Sequence, residues 1–356
     1  MPRTRSKPGH KAPRTGRWLR ARIAFVLAVL AGVSAVAAIE FAGPERFGPL
    51  SLVQYVPFPA WLAPAVLALG VSLTLGWRWR AAAAGGVALV AGPVMGLALP
   101  LDRDAGPTVR LMTYNIKAYY AVEREDGFAG IAAEVARHDP DLLVLQDARE
   151  LGAARERDPA AWRAVVGDRA AYAYGQYVIA SRHPIRDCAP GSIAYRGESH
   201  TFASCVVRVG GIDIDLVTVH LLTPRRGLNA ARHEGPAGFD EWEQNVEDRL
   251  EQAESLAAYV GRRPRPVVLA GDLNAPPRSR VLSLLREAGL RDAFAQAGAG
   301  YGYTYGHSLK PRFSFLRIDH ILAGRGVGVA DCRVGGREGS THRPVIADLV
   351  IEGASG

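Results

Sequence analysis

Beyond residue 22 the 356-residue chain has no basic surplus. Residues 1–22, MPRTRSKPGHKAPRTGRWLRAR, hold eight Lys/Arg and no acid, which accounts for the whole net charge of +8 and leaves 35 basic and 35 acidic side chains. From residue 102 onward, 32 basic side chains face 33 acidic ones. The electrostatic footprint of a duplex nucleic-acid binder is therefore missing from the bulk of the chain. Charge of either sign is absent from residues 47–77 and 81–101, and residues 23–39, IAFVLAVLAGVSAVAAI, carry none either. Cysteine is scarce, at three residues. Cys188 and Cys205 flank a predicted hairpin and could be bridged with Cys332 left over, or all three could be buried thiols. No internal repeat is evident.

The apolar content of 48% and a mean hydropathy of +0.01 are high for a soluble enzyme. They put part of the chain out of water. Roughly 20 apolar residues cross a hydrocarbon core. Three transmembrane helices are therefore expected, at about 23–43, 59–77 and 81–101. By the positive-inside rule the basic arm 1–22 and the WRWR turn at 77–80 stay cytoplasmic. The loop 40–58 then faces out, and the third span delivers residues 102–356 to the extracytoplasmic side. Tyr55, Phe58, Trp61, Trp77 and Trp79 fall where interfacial aromatics belong. A competing reading treats residues 1–37, with SAVAA as the cleavage site, as a signal peptide. Both readings export the C-terminal domain.

In residues 102–356 short apolar strands alternate with a few helices. Strands are predicted at 109–114, 141–146, 177–181, 202–209, 212–219, 267–271, 318–322 and 344–351. Helices are predicted at 127–138, 241–260 and 279–288, the last capped by Ser279. Residues 222–240, LTPRRGLNAARHEGPAGFD, read as a long loop. The mixture indicates an α/β sandwich, two sheets covered by helices.

The polar residues at the strand ends form a pattern. VRLMTYN ends at Asn115, DLLVLQD at Gln146 and Asp147, IDLVTVH at His220, and VVLAGDLN at Asp272 and Asn274. RIDHIL holds Asp319 and His320, and STHRPV puts His342 just ahead of a strand. A lone strand-end Asp is more often a turn or cap residue, and a lone His is usually structural. Six strands each delivering Asn, Asp or His are another matter. Packed side by side, their ends would converge at one rim. Such oxygens and nitrogens suit a hard divalent cation and a phosphate ester.

On these motifs the chain resembles the endonuclease/exonuclease/phosphatase superfamily, which includes DNase I, sphingomyelinases and inositol-polyphosphate phosphatases. The likeness covers about residues 105–352. It implies a DNase I-like four-layer α/β sandwich. It also implies Asn115 and Asp147 as metal ligands for Mg²⁺ or Mn²⁺, and Asp272 as activator of the attacking water. Asn274 would hold the phosphate, His220 would donate to the transition state, and Asp319 would orient His342. YVIASRHPI (177–185) looks like the family's structural core strand, and YTYG (303–306) like its Thr-aromatic pair. Two departures stand out: Asp147 replaces the usual Glu, and Thr341 replaces the Asp of Ser-Asp-His-x-Pro.

The anchor narrows the resemblance to membrane-bound actinobacterial members associated with teicoplanin resistance. That likeness implies a membrane lipid or lipid-linked phosphate, such as undecaprenyl pyrophosphate, as substrate, with no stable nucleic-acid complex. Arg225 and Arg226, just after His220, could bind a pyrophosphate or a nucleic-acid backbone, or simply be solvated loop charges. Two other functions remain open, a phosphodiesterase of the same fold and a catalytically inactive binding module.

Overall fold

The structure, a computed structural model, describes residues 14–196, 198–309 and 312–353. Residues 1–13 of the basic arm lie outside the described residues. The chain divides into two compact units, one formed by Met1–Ala38 and Pro57–Met95, the other by Ile39–Val56 and Gly96–Gly356.

The first unit corrects the expectation of three full spans. Among the described residues, one unbroken helix, Arg14–Ala42, is long and apolar enough to cross a membrane, over Gly16–Ala42; Pro44–Tyr55 and Pro59–Ser72 reach that length only as a pair bent by 78°. The second apolar run yields a 14-residue helix, Pro59–Ser72, ended by a turn ahead of Gly76. The third yields a 13-residue helix, Trp77–Leu89, that loosens into a π turn at Val90–Val94. At 1.5 Å per residue, 14 residues reach about 21 Å, short of a core of about 30 Å. Absence of charge alone set the predicted lengths, and it does not register where the Gly76 turn and Pro93 end a helix. Val26, Ala68, Leu75 and Ala83 form the small core on which these helices meet.

Among the described residues the second unit holds twelve strands: β1 (Thr108–Asn115), β2 (Leu142–Gln146), β3 (Ala170–Tyr174), β4 (Tyr177–Ser181), β5 (Ile185–Tyr195), β6 (Glu198–Val209), β7 (Ile212–His220), β8 (Val267–Asp272), β9 (Arg291–Asp292), β10 (Asp319–Ala323), β11 (Val327–Val334) and β12 (Val345–Ile351). They make two six-stranded sheets, ordered β11-β12-β1-β2-β4-β3 and β5-β6-β7-β8-β10-β9. Alternate side chains of both sheets, among them Leu111, Val144, Leu216, Val268 and Ile321, interlock as the central core. Each such fully buried side chain contributes about 1.5–3 kcal/mol. The outer face of the first sheet is covered by Ala129–His138, Arg149–Arg157 and Pro159–Val166, and that of the second by Pro236–Gly261 and Arg280–Glu287. The result is the expected helix–sheet–sheet–helix sandwich.

Register carries the strand ends to one rim. In the first sheet Asn115 of β1 lies beside Gln146 of β2 in a parallel pair. In the second, His220 of β7 lies beside Asp272 of β8, and Asp272 lies beside Asp319 of β10. Gly271 makes the β7–β8 pairing feasible, because a Cβ there would sit 1.9 Å from the carbonyl oxygen of Val219. The Gly of GDLN is thus a packing requirement. Gln146, fully buried, links the sheets beneath the rim: its Nε2 donates to Thr113 Oγ1 at 3.0 Å and to Thr218 Oγ1 at 2.8 Å.

The segment 222–240 is not a loop. Arg225–His233 is a helix, and Pro236–Gly261 begins immediately after Gly235. The two helices pack so closely that a Cβ on Gly238 would meet the Ala230 carbonyl oxygen at 2.0 Å. The Gly and Pro residues that suggest a loop therefore mark a tight helix–helix corner.

Candidate active site

Asp272 and Asp147 define the site. Asp272, at the end of β8, is buried, with its Oδ2 accepting from Asn115 Nδ2 at 2.8 Å. Asp147 follows β2 with φ +48 and reaches the same rim from the other sheet. His220 lies between them: its Nδ1 is 3.5 Å from Asp147 Oδ1 and its Nε2 3.6 Å from Asp272 Oδ2. His342 Nδ1 is 3.0 Å from Asp319 Oδ2 and 3.7 Å from Asp272 Oδ2. Asn274, with φ +50, donates from its main-chain N to Asp272 Oδ1 at 3.0 Å. Asn115, Asp147, His220, Asp272, Asn274, Asp319 and His342, each singled out in the sequence, therefore meet here, with Arg225 at the edge.

The electrostatics are mutually supporting. Burial pushes both carboxyls up, but the cations around them outweigh it. His220 and Lys117 hold Asp147 below the usual carboxylate range; His342, His220 and Lys117, with the Asn115 hydrogen bond, do the same for Asp272. Burial would lower His220, yet Asp147 and Asp272 raise it above the ordinary histidine value.

Two participants, Lys117 and Gln176, were not foreseen, and a third, Thr304, belongs to the YTYG stretch already noted. Lys117 takes a left-handed backbone, φ +45, and its Nζ sits 2.5 Å from Asp147 Oδ2. It lies two residues beyond Asn115, and nothing in NIK marks it as more than a surface lysine. Gln176, in the turn before β4, places Oε1 2.8 Å from His220 Nδ1. Thr304 of YTYG is fully buried, and its Oγ1 accepts from the main-chain N of Ile318 at 3.2 Å and of Asp319 at 3.3 Å. The next residue, Tyr305, stands against the His342 ring with centroids 4.8 Å apart, and its hydroxyl is 3.3 Å from Arg225 Nη2. Thr341 is half-buried beside His342. An open depression of about 430 Å³, lined by Thr223, Arg225, Arg226, Asn229, Glu234 and Glu241, adjoins this edge.

A hard divalent cation takes oxygen donors, with imidazole acceptable to the softer members of that group. Among the described residues, Asp272, Asp319 and His342 form a group whose ligand atoms all lie within 4.8 Å of one another. Asn115 and Asp147 add oxygens beside it. The donor set fits a divalent cation, with Lys117 already supplying one fixed positive charge at Asp147.

A sequence profile described as the Endonuclease/Exonuclease/phosphatase family matches residues 112–342. No curated protein matches the chain. Among solved structures, an endonuclease/exonuclease/phosphatase from Bacteroides vulgatus is 15% identical, with a TM-score of 0.51 over 69% of this chain and 100% of that one. A family protein from Leptotrichia buccalis is 14% identical, with a TM-score of 0.50 over 68% and 100%. One from Beutenbergia cavernae is 24% identical over 70% and 73%, with a TM-score of 0.47. The first two likenesses speak for the fold alone.

Behind the rim, a buried ion pair braces β10. Arg317 Nη1 bonds Asp292 Oδ1 at 2.9 Å and Oδ2 at 2.7 Å, and His320 spans from Asp292 Oδ2 (3.6 Å) to the Ala275 carbonyl (2.9 Å). Burial raises the Asp292 carboxyl, but Arg317 and His320 prevail and hold it well below the usual range. A depressed carboxyl contributes stability that is complete above its unfolded value, about 4, and is lost as pH falls toward the folded one. Asp292→Asn leaves Arg317 buried without its partner and should cost about 3–5 kcal/mol at neutral pH. Thermal unfolding of the full chain should show that deficit shrinking below a pH of about 4. A deficit independent of pH would contradict the assignment.

Proposed function

Because this chain belongs to the endonuclease/exonuclease/phosphatase family, a family of phosphoester hydrolases, we propose that it is a divalent-metal-dependent hydrolase of a lipid-linked phosphate or pyrophosphate at the extracytoplasmic membrane surface. The observation that carries the chemistry is the convergence of Asp147, Asp272, His220 and the Asp319–His342 pair at one rim.

An ion, Mg²⁺ or Mn²⁺, would be held by Asn115 and Asp147, or by Asp272, Asp319 and His342, and would neutralise charge on the phosphate. The protein's own groups do the rest. Asp272 stays ionised and accepts a hydrogen bond from the attacking water, orienting it toward phosphorus. Asp319, at His342 Nδ1, orients that ring so that Nε2 faces the site, where the protonated ring would donate to a phosphate oxygen. His220, its cationic form favoured by two carboxylates, and the Asn274 side chain stabilise the negative charge of the transition state. Arg225, beside Tyr305, suits a second phosphate.

Charge and location point to the substrate class. Asp147 carries its own ammonium partner and Thr341 is neutral, so the site offers a metal fewer free carboxylates than the family pattern. A pyrophosphate brings oxygens of its own to the cation. The near-neutral balance of residues 102–356 disfavours nucleic acid. A membrane-anchoring helix on the same chain would raise the local concentration of a membrane-borne substrate. Ile39–Val56 shares a unit with Gly96–Gly356, so both lie on one side of any membrane. The cationic arm favours the cytoplasm as the opposite side. The Cys188–Cys205 disulfide, with Cys332 free and buried, suits an oxidising compartment.

The detergent-solubilised full chain with Mg²⁺ should release inorganic phosphate from polyprenyl pyrophosphates and spare phosphodiesters and DNA. A chelator should stop turnover and added Mg²⁺ restore it. Asp272→Ala and His342→Ala should each lower kcat by at least about a hundredfold while remaining folded. Cleavage of diesters alone would shift the reading to a phosphodiesterase, and wild-type rates in either variant would remove the site assignment. For topology, a reporter active only outside the cytoplasm should work when fused after residue 356. Activity of a cytoplasmic reporter there would reverse the orientation.

A further inference from the structure

In the chain, Ile39–Val56 connects two apolar helices, yet it packs with the catalytic unit. Ser51, Gln54 and Tyr55 are buried in that setting. Trp242 Nε1 donates to Ser51 Oγ at 2.7 Å, and its ring meets Tyr55 edge-on at 5.6 Å. Glu45 accepts from the main-chain N of Arg280 at 3.0 Å and from Gln54 Nε2 at 3.2 Å. The segment is thus pinned at both ends to helices that cover the second sheet.

Near its end, Tyr55 reaches the catalytic loop. The Tyr55 hydroxyl accepts from Arg249 Nη1 at 2.7 Å and donates to the Asn274 carbonyl at 3.2 Å, across 219 residues of sequence. Arg249 Nη1 lies 3.4 Å from the same carbonyl. Asn274 needs such support. Its φ of +50 is an uncommon conformation for a residue with a side chain, one that surrounding structure must hold in place. Inside the site its main-chain N is tied to Asp272 and its Nδ2 to the Leu221 carbonyl at 2.9 Å. On the other side, Tyr55 and Arg249 hold the carbonyl in a dry setting, where hydrogen bonds are electrostatically stronger.

We propose that Tyr55 is a positioning residue for Asn274, so that the catalytic loop is completed by the segment that connects two apolar helices in the chain. This inference rests on the reading of Asn274 as the phosphate-holding group. It makes the segment Ile39–Val56 a component of the site.

The test uses the full chain in detergent with farnesyl pyrophosphate as probe, reading phosphate release and melting temperature. Tyr55→Phe keeps the ring on Trp242 and removes only the hydroxyl. It should lower kcat about tenfold with KM within about twofold, since small misplacements of a catalytic group are costly. Ser51→Ala, which strips Trp242 of its partner in the same segment, should lower the melting temperature and leave kcat unchanged. Asn274→Ala should abolish turnover. Wild-type kcat in Tyr55→Phe beside an inactive Asn274→Ala overturns the positioning role alone, whatever the melting temperature does. Wild-type kcat in Asn274→Ala, or an inert wild-type protein, overturns the reading of the site and this inference with it.

Discussion

The site depends on His220 standing between two carboxylates from different sheets, Asp272 buried and Asp147 half-buried. Asp147 and Asp272 would repel each other, and each would resist burial as an anion. The imidazole, 3.5 Å from one and 3.6 Å from the other, favours the ionised form of both. Lys117 on Asp147 and His342 beside Asp272 complete the neutralisation. This arrangement requires the β1–β2 and β7–β8 pairs to end at the same level. The interlocked core and the Gln146 cross-link between Thr113 and Thr218 fix that level. A one-residue slip in either pair would turn its end residue to the opposite face.

The part of this design carried by strands was legible in the sequence. A strand that ends in Asn, Asp or His after a run of Val, Ile and Leu states both its burial and its chemistry, and the eight predicted strands that bear or flank the motifs all form. Less was legible where a residue acts through distant geometry. Lys117 and Gln176 carry no local signal, because a lysine or glutamine in a turn is ordinary until the fold places it beside Asp147 or His220. Edge strands such as β3 and β5 are half-exposed and lack a continuous apolar run. The helix Arg225–His233 was concealed by the same glycines that let it pack against its neighbour. The uncharged stretches likewise revealed apolar character without showing where helices stop.

The two departures from the family pattern fit together physically. The shorter Asp147 is closed off by an ammonium, and Thr341 withholds a negative charge from the neighbourhood of His342. The Lys117 ammonium on Asp147 and the neutral Thr341 together leave the rim less anionic, which would suit a substrate that is itself densely charged. Arg225, held near His342 through Tyr305, extends the positive character toward the depression where a second phosphate would lie. The segment Ile39–Val56, built into the same unit, links this chemistry to the apolar helices on either side of it in the chain.

The central claim is attack of a rim-bound water on phosphorus. Hydrolysis of farnesyl pyrophosphate in ¹⁸O-water tests it most directly. Attack at the terminal phosphorus puts the heavy oxygen in the released inorganic phosphate and none in the organic product, and that is the expected result. Label in the farnesyl alcohol oxygen would mean that the carbon–oxygen bond breaks instead, and would contradict the claim.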